Sequence, residues 1–176
     1  MIIEETKLKG AFVIEPKRIA DERGFFAKVW SHRGFDEPEF ARMVESNLSF
    51  SLKRGTLRGM HFQRAPHGQA KMVRCTRGSV YDVIIDLRPD SPTFKGWVGV
   101  ELSAENRRTL CVPRDFAHGF QTLEDESEVV YLVSDFYAPE TAGGVRWDDP
   151  AFGVAWPHVE ERIIIPRDRE YADFTL

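Results

Sequence analysis

At 176 residues, 42% hydrophobic and 30% charged, the chain suits one compact domain, residues 1–176, able to bury roughly 70% of its unfolded surface. Its 24 Lys plus Arg against 28 Asp plus Glu leave a net charge of −4, without the basic excess that a phosphate-tracking surface needs, so no nucleic-acid partner is expected. No stretch approaches the ~20 apolar residues of a membrane span, and MIIEETKLKG carries acids where a secretory signal would carry a basic and then an apolar run, so a cytoplasmic protein without membrane contact is expected.

In chain order the pattern is one of short strands. GAFVIEP (10–16) comes first, followed by HRGFDEPEFARMV (32–44), the one segment with helical promise; there Phe35, Phe40 and Met43 would face inward and Pro38 suits a first turn. Strand-like runs then recur at GTLRGMHFQ (55–63), AKMVRCTRG (70–78), SVYDVIIDLR (79–88), WVGVELS (97–103), RTLCVP (108–113), AHGFQTL (117–123) and SEVVYLVSDFY (127–137). Gly, Pro, Asp and Ser clusters such as RPDSPTFKG and TLEDES separate them. In SVYDVIIDLR, Tyr81, Val83, Ile85 and Leu87 alternate with Asp82, Asp86 and Arg88, interrupted by Ile84, which predicts a half-buried strand. Many short strands at this spacing predict an all-β sandwich or jelly roll. The C-terminal EERIIIPRDREYADF predicts a short apolar anchor and a polar turn, a shape suited to closing over a site.

Alternation also places chemistry. In LRGMHFQ it puts Leu57, Gly59, His61 and Gln63 on one face; in AKMVRC it groups Lys71, Val73 and Cys75; in EVVYLV it groups Val129, Tyr131 and Val133. If these faces enclose one interior, a histidine and a lysine lie inside it, and interior charge is costly unless paired or used. On the pattern alone the favoured reading of His61 is a satisfied core or surface group, and Tyr131 is readable as a core aromatic with a bonded hydroxyl. His118 in CVPRDFAHGF is a further inward candidate. Cys75 and Cys111 sit in apolar runs without Cys-x-x-Cys or Cys/His spacing, which predicts buried free thiols.

Six motifs, DERGFF (21–26), LRGMHFQ (57–63), KMVRC (71–75), DLRPDSPTFKGWVGVELSAENRR (86–108), VPRDFAHGF (112–120) and WDDPAFGVAWP (147–157), resemble the dTDP-4-dehydrorhamnose 3,5-epimerase family in order and over nearly the whole chain. The resemblance implies a cupin-type jelly roll that forms a homodimer with strands exchanged or shared. It implies a nucleotide-sugar substrate, no cofactor, and inversion of C3, C5 or both in a nucleoside-diphospho-4-keto-6-deoxyhexose. His61 would be the base, Asp168 its supporting carboxylate, Lys71 the stabiliser of the enolate oxygen and Tyr131 the opposing acid. Where the family commonly has Lys-Asp, this chain has Arg167-Asp168. Arg58 and Arg23 would grip the diphosphate, Arg23 reaching in from the partner subunit, since a planar guanidinium matches phosphate oxygens. Asn47, His118 and Arg167 would make further substrate contacts. His32, His67 and His158 match nothing and are expected to be exposed.

No metal is expected either. A metal-binding cupin offers His-x-His, a following glutamate and a later histidine, whereas here the second histidine is Gln63 and no glutamate follows in RAPHGQAKMVRC. The nucleotide end departs from the family, with Lys28 where a glutamate is usual, Glu45 for a glutamine and Ala142 for a late glutamate. Either Lys28 and Glu45 pair and dTDP binding survives, or the pocket reads another base, Glu45 accepting from a base with two donors and Lys28 meeting a carbonyl oxygen. Other functions left open are a single-centre epimerase on another nucleotide sugar, a 3,4-ketoisomerase, and a non-catalytic sugar-binding cupin.

Overall fold

The computed structural model describes residues 1–31 and 33–175; the expectation for His32 lies outside them. Among the described residues thirteen strands follow one another: β1 (Ile2–Glu5), β2 (Phe12–Glu15), β3 (Arg18–Asp21), β4 (Gly24–Ala27), β5 (Glu45–Ser51), β6 (Leu57–Gln63), β7 (Lys71–Arg77), β8 (Ser79–Asp86), β9 (Trp97–Ser103), β10 (Thr109–Val112), β11 (Phe116–Thr122), β12 (Ser127–Val133) and β13 (Ala142–Gly144). One short helix, α1 (Pro166–Arg169), lies near the C-terminus. Two antiparallel sheets, ordered β1-β2-β10-β7-β12-β5 and β13-β6-β11-β8-β9, stand beside a separate β3–β4 hairpin. This is the all-β jelly-roll class that the strand pattern predicts. The anticipated helix within 32–44 shrinks to a 3-10 turn at Pro38–Phe40, although Phe35 and Phe40 are buried as expected.

Residues from both sheets meet in the middle. Val73 and Cys75 of β7, Leu110 and Val112 of β10 and Val129 of β12 pack against Val80 and Ile84 of β8, Leu102 of β9, and Phe116 and Phe120 of β11. A second cluster covers the outer face of the six-stranded sheet, where Phe35 and Phe40 lie over Ile14, Met72 and Cys111. A third, built on Val145 and Phe152, covers Met60, Val83, Ile85 and Ala117 on the back of the five-stranded sheet. Both sheets are therefore apolar on two faces, and this corrects the reading of β8 as half-buried. Its Tyr81, Val83 and Ile85 pack outward under the 145–156 segment, while Val80, Asp82 and Ile84 point into the sandwich. Asp82 and Asp86 have no exposed surface at all. Asp86 survives burial because Arg88, Ser91 and Thr93 all donate to it at 2.5–2.9 Å. Burial alone would push its carboxyl up, but those donors hold it below the ordinary value.

The central core does not fill the whole sandwich. Beyond Val73, Val129 and Phe120 the same inward positions carry Lys71, Tyr131 and His118, and a cavity of about 810 Å³ opens among them.

Candidate active site

β6 enters this cavity through an irregularity. Its partner β11 pairs Phe120 with Arg58 but His118 with His61, so one residue of β11, Gly119, stands opposite two of β6, Gly59 and Met60. The extra residue is a β-bulge, which resets alternation and lets Arg58 as well as His61 line the cavity. Strict alternation would place them on opposite faces. Glycine is required at the turn of the bulge: Gly59 has φ +130, and a Cβ there would lie 2.5 Å from Gly119 Cα. The spacing of LRGMH thus builds the site's geometry.

His61 Nε2 lies 2.8 Å from Asp168 Oδ1, and its side chain is 33% exposed. Asp168 comes from α1, 107 residues away, and is only 1% exposed. Its Oδ2 accepts the Gly59 N–H at 3.1 Å, and Arg167 Nε donates to its Oδ1 at 3.3 Å. Burial pushes the Asp168 carboxyl up, yet the bonds from His61, Gly59 and Arg167 outweigh it and hold it below the ordinary carboxylate value. An ionised partner that accepts the Nε2 proton leaves Nδ1 as the basic nitrogen of the ring.

Directly opposite on β11, His118 makes a second such pair. Its Nε2 lies 2.9 and 3.0 Å from the two oxygens of Asp82 on β8. Here the histidine side chain is 8% exposed and the carboxylate 0%. Asp82 is a site residue that alternation read as solvent-facing. Lys71 is close enough to Asp82 for its charge to be felt; burial lowers the ammonium to about 8, and Asp82 opposes the drop. Among the described residues no protein hydrogen bond holds Lys71 Nζ, which leaves its donors for a ligand. Across the cavity Tyr131 on β12 has a phenol that burial raises, with Arg58 opposing and Glu45 adding to the rise, so it keeps its proton.

Glu45, Asn47 and Ser49 of β5 also line the cavity, as does Ala142. β5 alternates cleanly, with these three turned in and Ser46, Leu48 and Phe50 turned out. Arg58 lies along β5, donating to Ser51 Oγ at 3.2 Å and to the Phe50 carbonyl at 3.0 Å. Arg167 is at the rim, with a terminal nitrogen 3.4 Å from His61 Nε2. Two expected residues stand apart: Arg23 is 83% exposed and pairs with Asp21 of its own hairpin at 2.7 Å, and neither it nor Lys28 lines the cavity. The Lys28–Glu45 ion pair, one of the two alternatives for the nucleotide end, does not form among the described residues. His158 is exposed as expected, but His67 is half-buried, 3.6 Å from Asp135.

Gln63, where a metal site would carry a second histidine, holds two loops together. Its amide donates to the His67 carbonyl at 2.7 Å and the Phe136 carbonyl at 3.1 Å, and its oxygen accepts the Ala138 N–H at 2.9 Å. Among the described residues no three His, Cys, Asp or Glu side chains converge as metal ligands. Cys75 and Cys111 are buried and free; burial raises Cys75 to about 11 and pushes Cys111 up as well, so neither is a thiolate near neutrality. Tyr137 and Tyr171 complete the rim; β12 stops at Val133, short of the Tyr137 that the strand-like run 127–137 included, and Tyr171 lies outside every such run, so alternation had no means to flag it.

The family model for dTDP-4-dehydrorhamnose 3,5-epimerase matches residues 5–175. A curated relative of that name from Salmonella typhimurium is 45% identical over 159 residues, covering 89% of this chain and 86% of its own length. The crystal structure of the Elizabethkingia anophelis dTDP-4-dehydrorhamnose 3,5-epimerase superposes with a TM-score of 0.94 at 38% identity, covering 99% of this chain and 96% of its own. That from Bacillus anthracis, with TDP and PPi bound, has a TM-score of 0.91 at 40% identity, covering 98% and 99%. A cupin-type jelly roll with this match along its whole length belongs to the dTDP-4-dehydrorhamnose 3,5-epimerase family.

Proposed function

We infer that the protein is an isomerase that inverts C3 and C5 of dTDP-4-dehydro-6-deoxyglucose to give dTDP-4-dehydrorhamnose. The observation that carries this reading is the convergence of His61–Asp168, Lys71 and Tyr131 on one cavity. The hydrogens at C3 and C5 flank the C4 carbonyl, so removing either leaves an enolate whose charge rests largely on the carbonyl oxygen. His61 takes the proton, and Asp168 favours the imidazolium that results. The Lys71 ammonium stabilises the enolate oxygen, and Tyr131 returns a proton to the other face without bringing a charge into the cavity. Asn47, Arg58, His118 and Arg167 bind the substrate.

The homodimer belongs to the same proposal. β5 is an open sheet edge with Leu48 exposed, as is Leu52 just beyond it, and the β3–β4 hairpin exposes Ile19 and Phe26. Such apolar surface on an edge and a protruding hairpin invites a second copy, and a hairpin delivered across that interface would bring Arg23 to the diphosphate. Cytoplasmic residence accords with the two buried free thiols. Among the described residues no helix is long and apolar enough to cross a membrane.

Mass spectrometry after incubation of dTDP-4-dehydro-6-deoxyglucose with the protein in D2O tests the reading: two deuteria and a rhamno product are expected. One deuterium would mean a single-centre epimerase, and none a binding protein. Calorimetric titration tests the nucleotide: dTDP should bind at least about ten times more tightly than UDP, CDP or GDP, a difference of ~1.4 kcal/mol, and tighter binding of GDP than dTDP would mean that Glu45 reads another base.

A further inference from the structure

Tyr171 lies in none of the motifs that carry the chemistry, yet its ring stands against the base. The centroids of the His61 and Tyr171 rings are 6.4 Å apart, edge to face at 73°. Room for the phenol comes from Gly144, which pairs with His61 in the β13–β6 register. A Cβ at Gly144 would lie 2.3 Å from the Tyr171 ring, so the ring occupies the space where any other residue opposite His61 would place its side chain. The segment carrying Tyr171 is pinned on both sides. Before it, Asp168 bonds His61 and Gly59. After it, Asp173 pairs with Arg146 at 2.6 Å, the Phe174 N–H donates to Asp149 at 2.6 Å, and the Phe174 ring packs 5.1 Å from Phe152. A side chain held between two such anchors is a fixed wall rather than a loose tail.

We propose that Tyr171 is a positioning residue whose ring closes the cavity over His61 and keeps bulk water from the protonated base during turnover. This rests on the epimerase reading. After His61 removes a carbon-bound proton, two fates compete: Tyr131 protonates the far face and completes inversion, or the imidazolium exchanges with solvent and returns a hydrogen to the original face. Water reaching the imidazolium favours the second fate, and a ring covering it suppresses that exchange. The groups around the phenol, Arg167, Asp168 and Tyr137, leave it neutral: burial raises its pKa, with Arg167 opposing and the other two adding to the rise.

The test measures, in D2O, the ratio of deuterium in recovered starting sugar to product formed. Tyr171→Ala should raise that ratio roughly threefold or more by admitting water, while Tyr171→Phe, which keeps the ring, should match the unsubstituted protein. A purely structural role would lower exchange and product together and leave the ratio unmoved. An unchanged ratio in Tyr171→Ala overturns the proposal, as does a ratio in Tyr171→Phe equal to that of Tyr171→Ala, which would assign the effect to the hydroxyl. If Tyr171→Ala melts below the assay temperature, Tyr171→Leu is judged by the same ratio. Absence of any exchange by the unsubstituted protein would instead overturn the epimerase reading on which the proposal stands.

Discussion

Two histidine–carboxylate pairs face each other across one strand pairing, and they differ in what surrounds them. His61 is one-third exposed and leans on a carboxylate from a four-residue helix near the C-terminus, whereas His118 is 8% exposed and is gripped by both oxygens of a carboxylate inside the neighbouring strand. A base has to reach its substrate, so it needs a side that faces the cavity. The His61 pair has one. The His118–Asp82 pair is enclosed and sits beside Lys71, where its carboxylate supplies negative charge to a buried ammonium. The same two residue types thus serve as proton acceptor in one place and as charge-holding wall in the other, and burial makes the difference.

The largest effect should come from the open pair. His61→Ala should lower deuterium exchange at every inverted centre by about 10²–10⁴-fold, and retention of a tenth of the original rate would give the base another identity. Tyr131→Phe should retain some exchange while losing inversion, which separates the acid from the base.

The closed pair should show itself in stability instead. His118→Ala leaves Asp82 buried without its bidentate partner, at a cost of about 3–5 kcal/mol by denaturant unfolding. His61→Ala should cost much less, because Asp168 keeps the Gly59 N–H and Arg167. Equal losses in the two variants would erase the distinction between the pairs.

pH sharpens the comparison further. An ammonium lowered to about 8 is charged below that value and neutral above it, so kcat/KM should fall about tenfold per unit as pH rises beyond 8. Asp168 acts at the opposite end. Its folded-state pKa is depressed, so its contribution to stability is complete above the unfolded carboxylate value and disappears as pH falls through the lower folded one. A pH profile flat to 10 would remove Lys71 from the oxyanion role. The smallest effect is expected from a chelator: both histidines are engaged by their own carboxylates and Gln63 is a loop clamp, so EDTA should leave the epimerisation rate unchanged. Activity lost to EDTA and restored by a divalent ion would contradict this.

The sequence by itself determined β2 and β6 to β12 and the inward faces of β7 and β12, because alternation is a local property that each strand expresses within a few residues, whereas β1, β3, β4, β5 and β13 were not legible in it. Lys71 beside Val73 and Tyr131 beside Val129 were legible for that reason, and the motif resemblance added Asp168 to His61 before any distance was known. Local periodicity could not show that the acidic face of β8 is interior, since an aspartate is tolerated there only through His118, 36 residues away in the chain. Nor could it show the bulge that brings Arg58 to the side of His61, which depends on the close approach of Gly59 and Gly119 from different strands. The tertiary structure alone decided these points, together with the fit of Tyr171 into the space left by Gly144, because each requires two segments distant in sequence to fill, pair or neutralise one another in space.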